Sequence, residues 1–124
     1  MYKFGSKSLK NLQGVHPDLR AVVELAISKT TQDFSVIEGV RSEHRQKQLY
    51  NSGASKTMNS RHLTGHAVDL APYPLSWDWE YFYPIADAMK DAAEELGVSI
   101  EWGGDWKSFP DGPHFQVSWE DYPK

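Results

Sequence analysis

The sequence predicts an α+β fold, a short and mainly antiparallel sheet with helices flanking it. Two stretches carry apolar residues at helical spacing, and four short runs of β-branched or aromatic residues lie among them. Helices mixed with short strands in so short a chain point to this class. The 124 residues are expected to form one domain spanning 1–124, large enough for one core without covalent staples. With 40% hydrophobic and 24% charged residues the composition is globular.

Residues 1–16 read as irregular, punctuated by Gly5 and Gly14. Pro17 suits a helix start, with Asp18 in the first turn. Leu19, Val22, Val23, Ala26 and Ile27 then recur at helical spacing, predicting a helix over 17–30. Phe34 to Val40 reads as a strand. Ser42 can cap a helix that carries Gln46 and Leu49 and stops at Gly53, and 53–61 is a polar loop. His66 to Ala71 alternates like a strand, stopped by Pro72 and Pro74. The longest helix is expected from about Asp78 to Leu96, with Ile85, Ala88, Met89, Ala92 and Leu96 on one face and Gly97 as its stop. Pro84 either kinks it or marks its true first turn. Val98 to Trp102 and His114 to Ser118 read as two further strands, separated by a loop rich in Gly, Asp and Pro.

Composition removes several functions. Without cysteine there is no disulfide, thiolate ligand or cysteine nucleophile. No run approaches the roughly 18 apolar residues of a membrane span, so no stable membrane insertion is expected. The N-terminus has positive charge but no apolar region after it, so synthesis in the cytoplasm is expected. A net charge of -4 argues against nucleic acid as a partner. The charge is uneven, with 10 Lys/Arg against 5 Asp/Glu in residues 1–61 and 3 against 12 in the remainder. Solvated helix faces are the plainer account of the basic half.

The chemistry concentrates around three histidines. Ser60, His62, Gly65, Ala67 and Asp69 form S-x-H-x-x-G-x-A-x-D. His62 falls in a loop and Asp69 in a strand, so a turn at Gly65 can bring imidazole and carboxylate together. Asp111-Gly112-Pro113-His114 adds a carboxylate three residues before a histidine, where another strand begins. Two histidines and a carboxylate form an open ligand set for zinc, which lowers the pKa of a water toward about 7. His62, Asp69 and His114 are the candidate ligands, leaving Asp111 to take the water's proton. The alternative is a hydrogen-bonded His–Asp pair with no metal. His16 and His44 are isolated and read as surface or satisfied core residues.

The run Ser60 to Asp69 resembles the signature of D-Ala–D-Ala-type zinc peptidases. Glu38-Gly39-Val40-Arg41-Ser42, Ser60 to Pro72, Glu101 to Trp106 and Asp111 to Gln116 together resemble one branch, the phage L-alanyl-D-glutamate endopeptidases. The resemblance implies one zinc per chain on His62, Asp69 and His114, with Asp111 as the general base where carboxypeptidase branches carry glutamate. It assigns Arg41 to the substrate's carbonyl oxygen or a carboxylate, which a fixed guanidinium can stabilise. The alternative for Arg41 is a surface ion pair. The implied activity is hydrolysis of the L-Ala–D-Glu bond in the peptidoglycan stem peptide, causing lysis of the host cell. It implies action on the cell wall after release through a lesion made by a separate phage protein. A monomer is expected. The competing functions are a D,D-carboxypeptidase or dipeptidase, and a zinc-bearing interaction module without turnover.

Other residues are weaker candidates. His66 sits within the signature but is expected on the opposite face, as a non-ligand. Ser60 is expected to orient the site or touch substrate. Arg61 could meet the free carboxylate of D-glutamate. Trp102 and Trp106, flanking Gly103-Gly104, are the tryptophans expected to line a cleft, and Asp105 could bind substrate there; core packing is the alternative for the aromatics.

Overall fold

The computed structural model describes residues 1–55 and 57–123. Pro17 opens helix α2 (Pro17–Lys29), and His16 caps it by accepting the Asp18 N–H on Nδ1 at 3.1 Å. Ser42 caps α3 (Glu43–Asn51) by accepting the Arg45 N–H. The last helix, α4 (Phe82–Leu96), starts later than its apolar period suggests: a 3-10 turn covers Trp79–Tyr81, and Pro84 lies in the first helical turn. Gly97 ends it in the left-handed conformation.

Four strands, β1 (Phe34–Glu38), β2 (Ala67–Pro72), β3 (Ile100–Trp102) and β4 (His114–Val117), form one antiparallel sheet in the order β1-β2-β4-β3. Period-2 alternation divides their side chains. Phe34, Val36, Val68, Leu70, Phe115 and Val117 join one core with Leu19, Val22, Val23 and Ala26 of α2 and Ile85, Met89 and Ala92 of α4. Asp69, His114 and Gln116 fall on the other face.

Register supplies the next level of order. Asp69 lies opposite His114 across the β2–β4 pair. On its other side the β1–β2 register shifts between Val36 and Glu38, so Glu38 rather than Ile37 comes opposite Asp69. A bulge of this kind re-aims a side chain. Here it sets Glu38, Asp69 and His114 in one row across the sheet.

Residues expected to be irregular contain a six-residue helix, α1 (Ser6–Asn11). Its sequence is polar and no side chain caps it, so no local signal announces it. Tertiary bonds hold it: the Val36 N–H donates to Ser8 Oγ at 3.1 Å, and Asn11 Nδ2 donates to the Val36 carbonyl at 2.8 Å. The strand expected over 98–102 begins at Ile100.

Candidate metal centre and active site

Ser60 accepts the His62 N–H on its hydroxyl at 3.2 Å and starts a 3-10 turn, Arg61–Thr64, that ends at Gly65 with φ +76°. A Cβ at Gly65 would lie 2.5 Å from the Gly14 carbonyl oxygen, so the turn needs glycine for both its conformation and its neighbour. The turn folds back so that His62 faces Asp69, the first site residue of β2. The carbonyl of His62 also receives the Arg41 N–H at 2.9 Å, tying this turn to the segment after β1.

Asp69 Oδ1 lies 3.2 Å from His62 Nε2 and 3.3 Å from His114 Nδ1. The other nitrogen of each ring is already engaged. His62 Nδ1 donates to the Gly39 carbonyl at 2.9 Å, and His114 Nε2 donates to Gln116 Oε1 at 2.8 Å. A carbonyl oxygen only accepts, so these bonds place the N–H away from Asp69 in a neutral ring. Lone pairs of two imidazoles and a carboxylate then converge on one point, with donor atoms all within 4.8 Å of one another. That convergence is repulsive unless a cation joins it, and it fits a divalent metal. Among the described residues this is the group of three that could hold one, and Asp111 stands outside it.

The charges within the site act on one another. Burial opposes ionisation of Asp69, yet where no metal is held, protonated His114 and His62 can each donate to it, and these bonds with their charges hold its carboxyl well below the usual carboxylate range. Burial likewise favours neutral His114, but its bond to Asp69 and the charge there push its pKa up. At Asp111, partial desolvation and the charge of Asp69 push the carboxyl up, against the pull of His114, His62 and Arg41. A carboxylate raised in this way is a better proton acceptor.

Arg41 lies in the wall of the same cleft. Its Nε and Nη2 donate to the two oxygens of Glu38 at 2.8 and 2.6 Å, and its Nη1 donates to Gln46 Oε1 at 2.7 Å. Nη2 is also 3.9 Å from Asp69 Oδ2. Burial works against its charge, but the bond and charge of Glu38, with Asp69 and Asp111, raise its pKa. Gln46, fully buried, passes the tether on: its Nε2 donates to Ser55 Oγ at 2.8 Å and to the Thr57 carbonyl. An ion pair does hold Arg41, then, inside the cleft instead of on the surface.

The cleft holds about 1030 Å³, at the upper end of the range for small-molecule sites. Glu38, Arg41, Arg45, Ser60 and His62 line it together with Trp106, Pro110, Asp111 and His114. The Trp106 ring lies 5.2 Å from that of His114. At Gly103, a Cβ would come within 2.4 Å of the Asp111 carbonyl oxygen, so only glycine lets the Gly103–Asp105 turn support the Asp111 loop this closely.

A family model described as phage L-alanyl-D-glutamate peptidase matches residues 1–119. The chain belongs to this family. The L-alanyl-D-glutamate peptidase of Escherichia phage T5 is 34% identical over 117 residues, 89% of this chain and 85% of the relative. The solved structure of the Serratia marcescens L-Ala D-Glu endopeptidase ChiX superposes with a TM-score of 0.93 at 48% identity, covering 98% of this chain and 95% of that one. The vancomycin resistance D,D-dipeptidase VanXYg shares the fold alone, with a TM-score of 0.56 at 19% identity over 83% of this chain and 50% of its own. The fold class and the family read from the signature both hold.

Among the weaker candidates, Trp102 and Asp105 sit differently from expectation, while His66 is a non-ligand as expected. Trp102 is 5% exposed, and its Nε1 donates to the Gly112 carbonyl at 2.7 Å, so it braces the Asp111–His114 loop from beneath instead of lining the cleft. Asp105 is exposed and pairs with Lys90 Nζ at 2.9 Å. Arg61 borders the cleft but is 3% exposed. It stacks on Trp119 at 4.0 Å, and its Nη2 donates to the Val117 carbonyl at 2.8 Å. Burial lowers its pKa, with the charge of Glu101 opposing. His66 is not in the metal-capable group; its Nδ1 lies 2.6 Å from Thr64 Oγ1. Glu38, Gln46 and Gln116 bond directly to Arg41 and His114, contacts that the sequence did not announce. The only signal for any of them was that Glu38 and Gln116 fall inside the resembling segments.

Proposed function

We infer that the chain is a zinc peptidase that hydrolyses the L-Ala–D-Glu bond of the peptidoglycan stem peptide. The observation that carries this reading is the convergence of His62, Asp69 and His114 at the floor of a cleft that Asp111 overlooks, in a member of this family. One zinc per chain, held by those three residues, would polarise the scissile carbonyl and acidify a water. Asp111 would accept the attacking water's proton and return it to the departing amine. Arg41, held flat by Glu38 and Gln46, keeps N–H groups free for the carbonyl oxygen as negative charge develops there. Ser60 sets the turn that aims His62 and so acts by positioning.

The open cleft suits an endopeptidase, which must admit chain on both sides of the bond. Residues 1–124 act as a single catalytic domain, a monomer with no nucleic-acid partner. No helix among the described residues is long and apolar enough to cross a membrane. The enzyme is made in the host cytoplasm and reaches the wall through a lesion opened by another phage protein.

Mass spectrometry of digested peptidoglycan tests the reading. New N-terminal D-glutamate, with L-alanine left on the glycan, is the expected product. Release of free D-alanine from an otherwise intact stem would establish a carboxypeptidase instead. Undigested wall with zinc bound would favour an interaction module.

A further inference from the structure

Beyond Asp111 the cleft wall runs into a second, shallower depression of about 310 Å³, lined by Trp77, Trp79, Phe82, Gly112 and Pro113 together with Pro110 and Asp111. Pro110 and Asp111 line both hollows, so the two border each other at the expected general base. The segment leading there keeps four large apolar side chains in water at alternate positions. Tyr73, Leu75, Trp77 and Trp79 are 62%, 63%, 60% and 41% exposed. Contiguous exposed apolar surface marks binding sites, and Trp77 and Trp79 share one hollow around Phe82.

The rings are also held in place. Trp77 stacks on buried Phe82, with ring centroids 6.2 Å apart and planes 17° from parallel, so its outer face is presented in a fixed orientation. Trp79 packs against Phe82, Tyr83 and Trp102. A Cβ on Gly112 would lie 3.6 Å from Trp79. Residues 73–83 include Asp78 and Glu80 and no Lys or Arg. An anionic surface, whether lipid or polyphosphate, is repelled by that charge. A neutral pyranose is not: its C–H face packs on an electron-rich ring, and its hydroxyls can donate to carboxylates.

The polarity of the substrate matches the polarity of the cleft. In a stem peptide the L-alanine is joined through a lactyl group to the sugar, while carboxylates lie on the D-glutamate side. The sugar is therefore only one residue and a short linker from the cleaved bond, roughly 7 Å at about 3.5 Å per unit. The main cleft carries Arg41 and exposed Arg45 among its lining residues, whereas the depression beyond Asp111 carries aromatic rings and no cation. We propose that the Trp77–Trp79 depression is a sugar subsite that stacks the N-acetylhexosamine bearing the stem peptide. This rests on the endopeptidase reading and names the part of the substrate that lies beyond the peptide.

Two measurements on the full chain test it. The first is titration with the peptide-free disaccharide of N-acetylglucosamine and N-acetylmuramic acid, followed by the indole N–H resonances. Binding that shifts the Trp77 and Trp79 signals is expected, and the Trp79 shift should be lost in Trp77→Ala and restored in Trp77→Tyr. The second compares cleavage of a disaccharide-linked tripeptide with cleavage of the same tripeptide free. The wild type should favour the linked form at least about tenfold in kcat/KM, and Trp77→Ala should remove that preference through KM while changing free-peptide cleavage less than about twofold. Equal rates on both substrates in the wild type, or equal losses on both in the variant, would overturn the subsite. So would Trp77-dependent binding to anionic vesicles without binding of the disaccharide. Disaccharide binding with hydrolysis of neither peptide would uphold the subsite and overturn the endopeptidase reading instead.

Discussion

Along β2, Val68 and Leu70 point into the core while Asp69 between them points into the cleft; along β4, Phe115 and Val117 do the first and His114 and Gln116 the second. The same backbone thus serves two faces with different tolerances. The core face needs apolar volume, and a side chain of similar size can replace another there at small cost. The site face needs particular atoms at particular points. His62 Nδ1 must meet the Gly39 carbonyl, and His114 Nε2 must meet Gln116, before the remaining nitrogens converge. A shift of one residue in register would exchange the faces and destroy both.

Breaking the site face at its centre should have the largest effect. His62→Ala or His114→Ala should abolish metal binding and turnover, measured by elemental analysis beside a turbidity assay on permeabilised cells. Zinc bound at full occupancy in both variants would refute the ligand assignment. The unmutated protein should also lose metal to chelators more easily as pH falls toward about 6. Because His114 has a raised pKa, a proton competes with the metal at higher pH there than at an ordinary histidine.

On the core face, Leu70→Ala should cost about 2–5 kcal/mol of stability in chemical denaturation, while the folded fraction keeps its metal affinity. A matched loss of metal affinity would show that the faces are not independent. Asp111→Asn separates the proton acceptor from the ligands: zinc should stay near full occupancy while turnover falls at least about 10²-fold. Asp69→Asn should instead weaken the metal, and exchanged phenotypes would reverse the two roles.

Smaller effects test the supports. Gln116→Leu removes the acceptor that fixes the His114 ring, and should weaken metal affinity by about 10–100-fold in chelator competition. Gln116→Glu, which keeps an acceptor, should lose less. Arg41→Lys keeps the charge but cannot span both Glu38 oxygens and Gln46, so it should slow turnover by roughly tenfold with zinc and fold intact. Full activity in that variant would reduce Arg41 to an internal ion pair.

The sequence revealed what local spacing encodes. The apolar period of α2, the Ser42 cap and the Gly97 stop are all local, and the structure realises each. The ten-residue signature was equally readable, because the turn at Gly65 brings His62 to Asp69 within one short segment. Glu38 was not, since its place opposite Asp69 depends on a bulge one residue away. Gln46 looked like any polar helix residue, and its burial comes from contacts with Arg41, Ser55 and Thr57. Trp102 was misplaced for a related reason: flanking glycines suggested an open loop, whereas its indole N–H is committed to Gly112.

The short helix α1 has a consequence for behaviour in concentrated solution. β1 is an outer strand, and such strands invite pairing with a strand from a neighbouring molecule. Ser8 and Asn11 occupy both main-chain groups of Val36 that a neighbour would use. A polar helix with little intrinsic stability thus covers this part of the sheet edge. Were residues 6–11 removed, both Val36 groups would be bared for pairing between molecules.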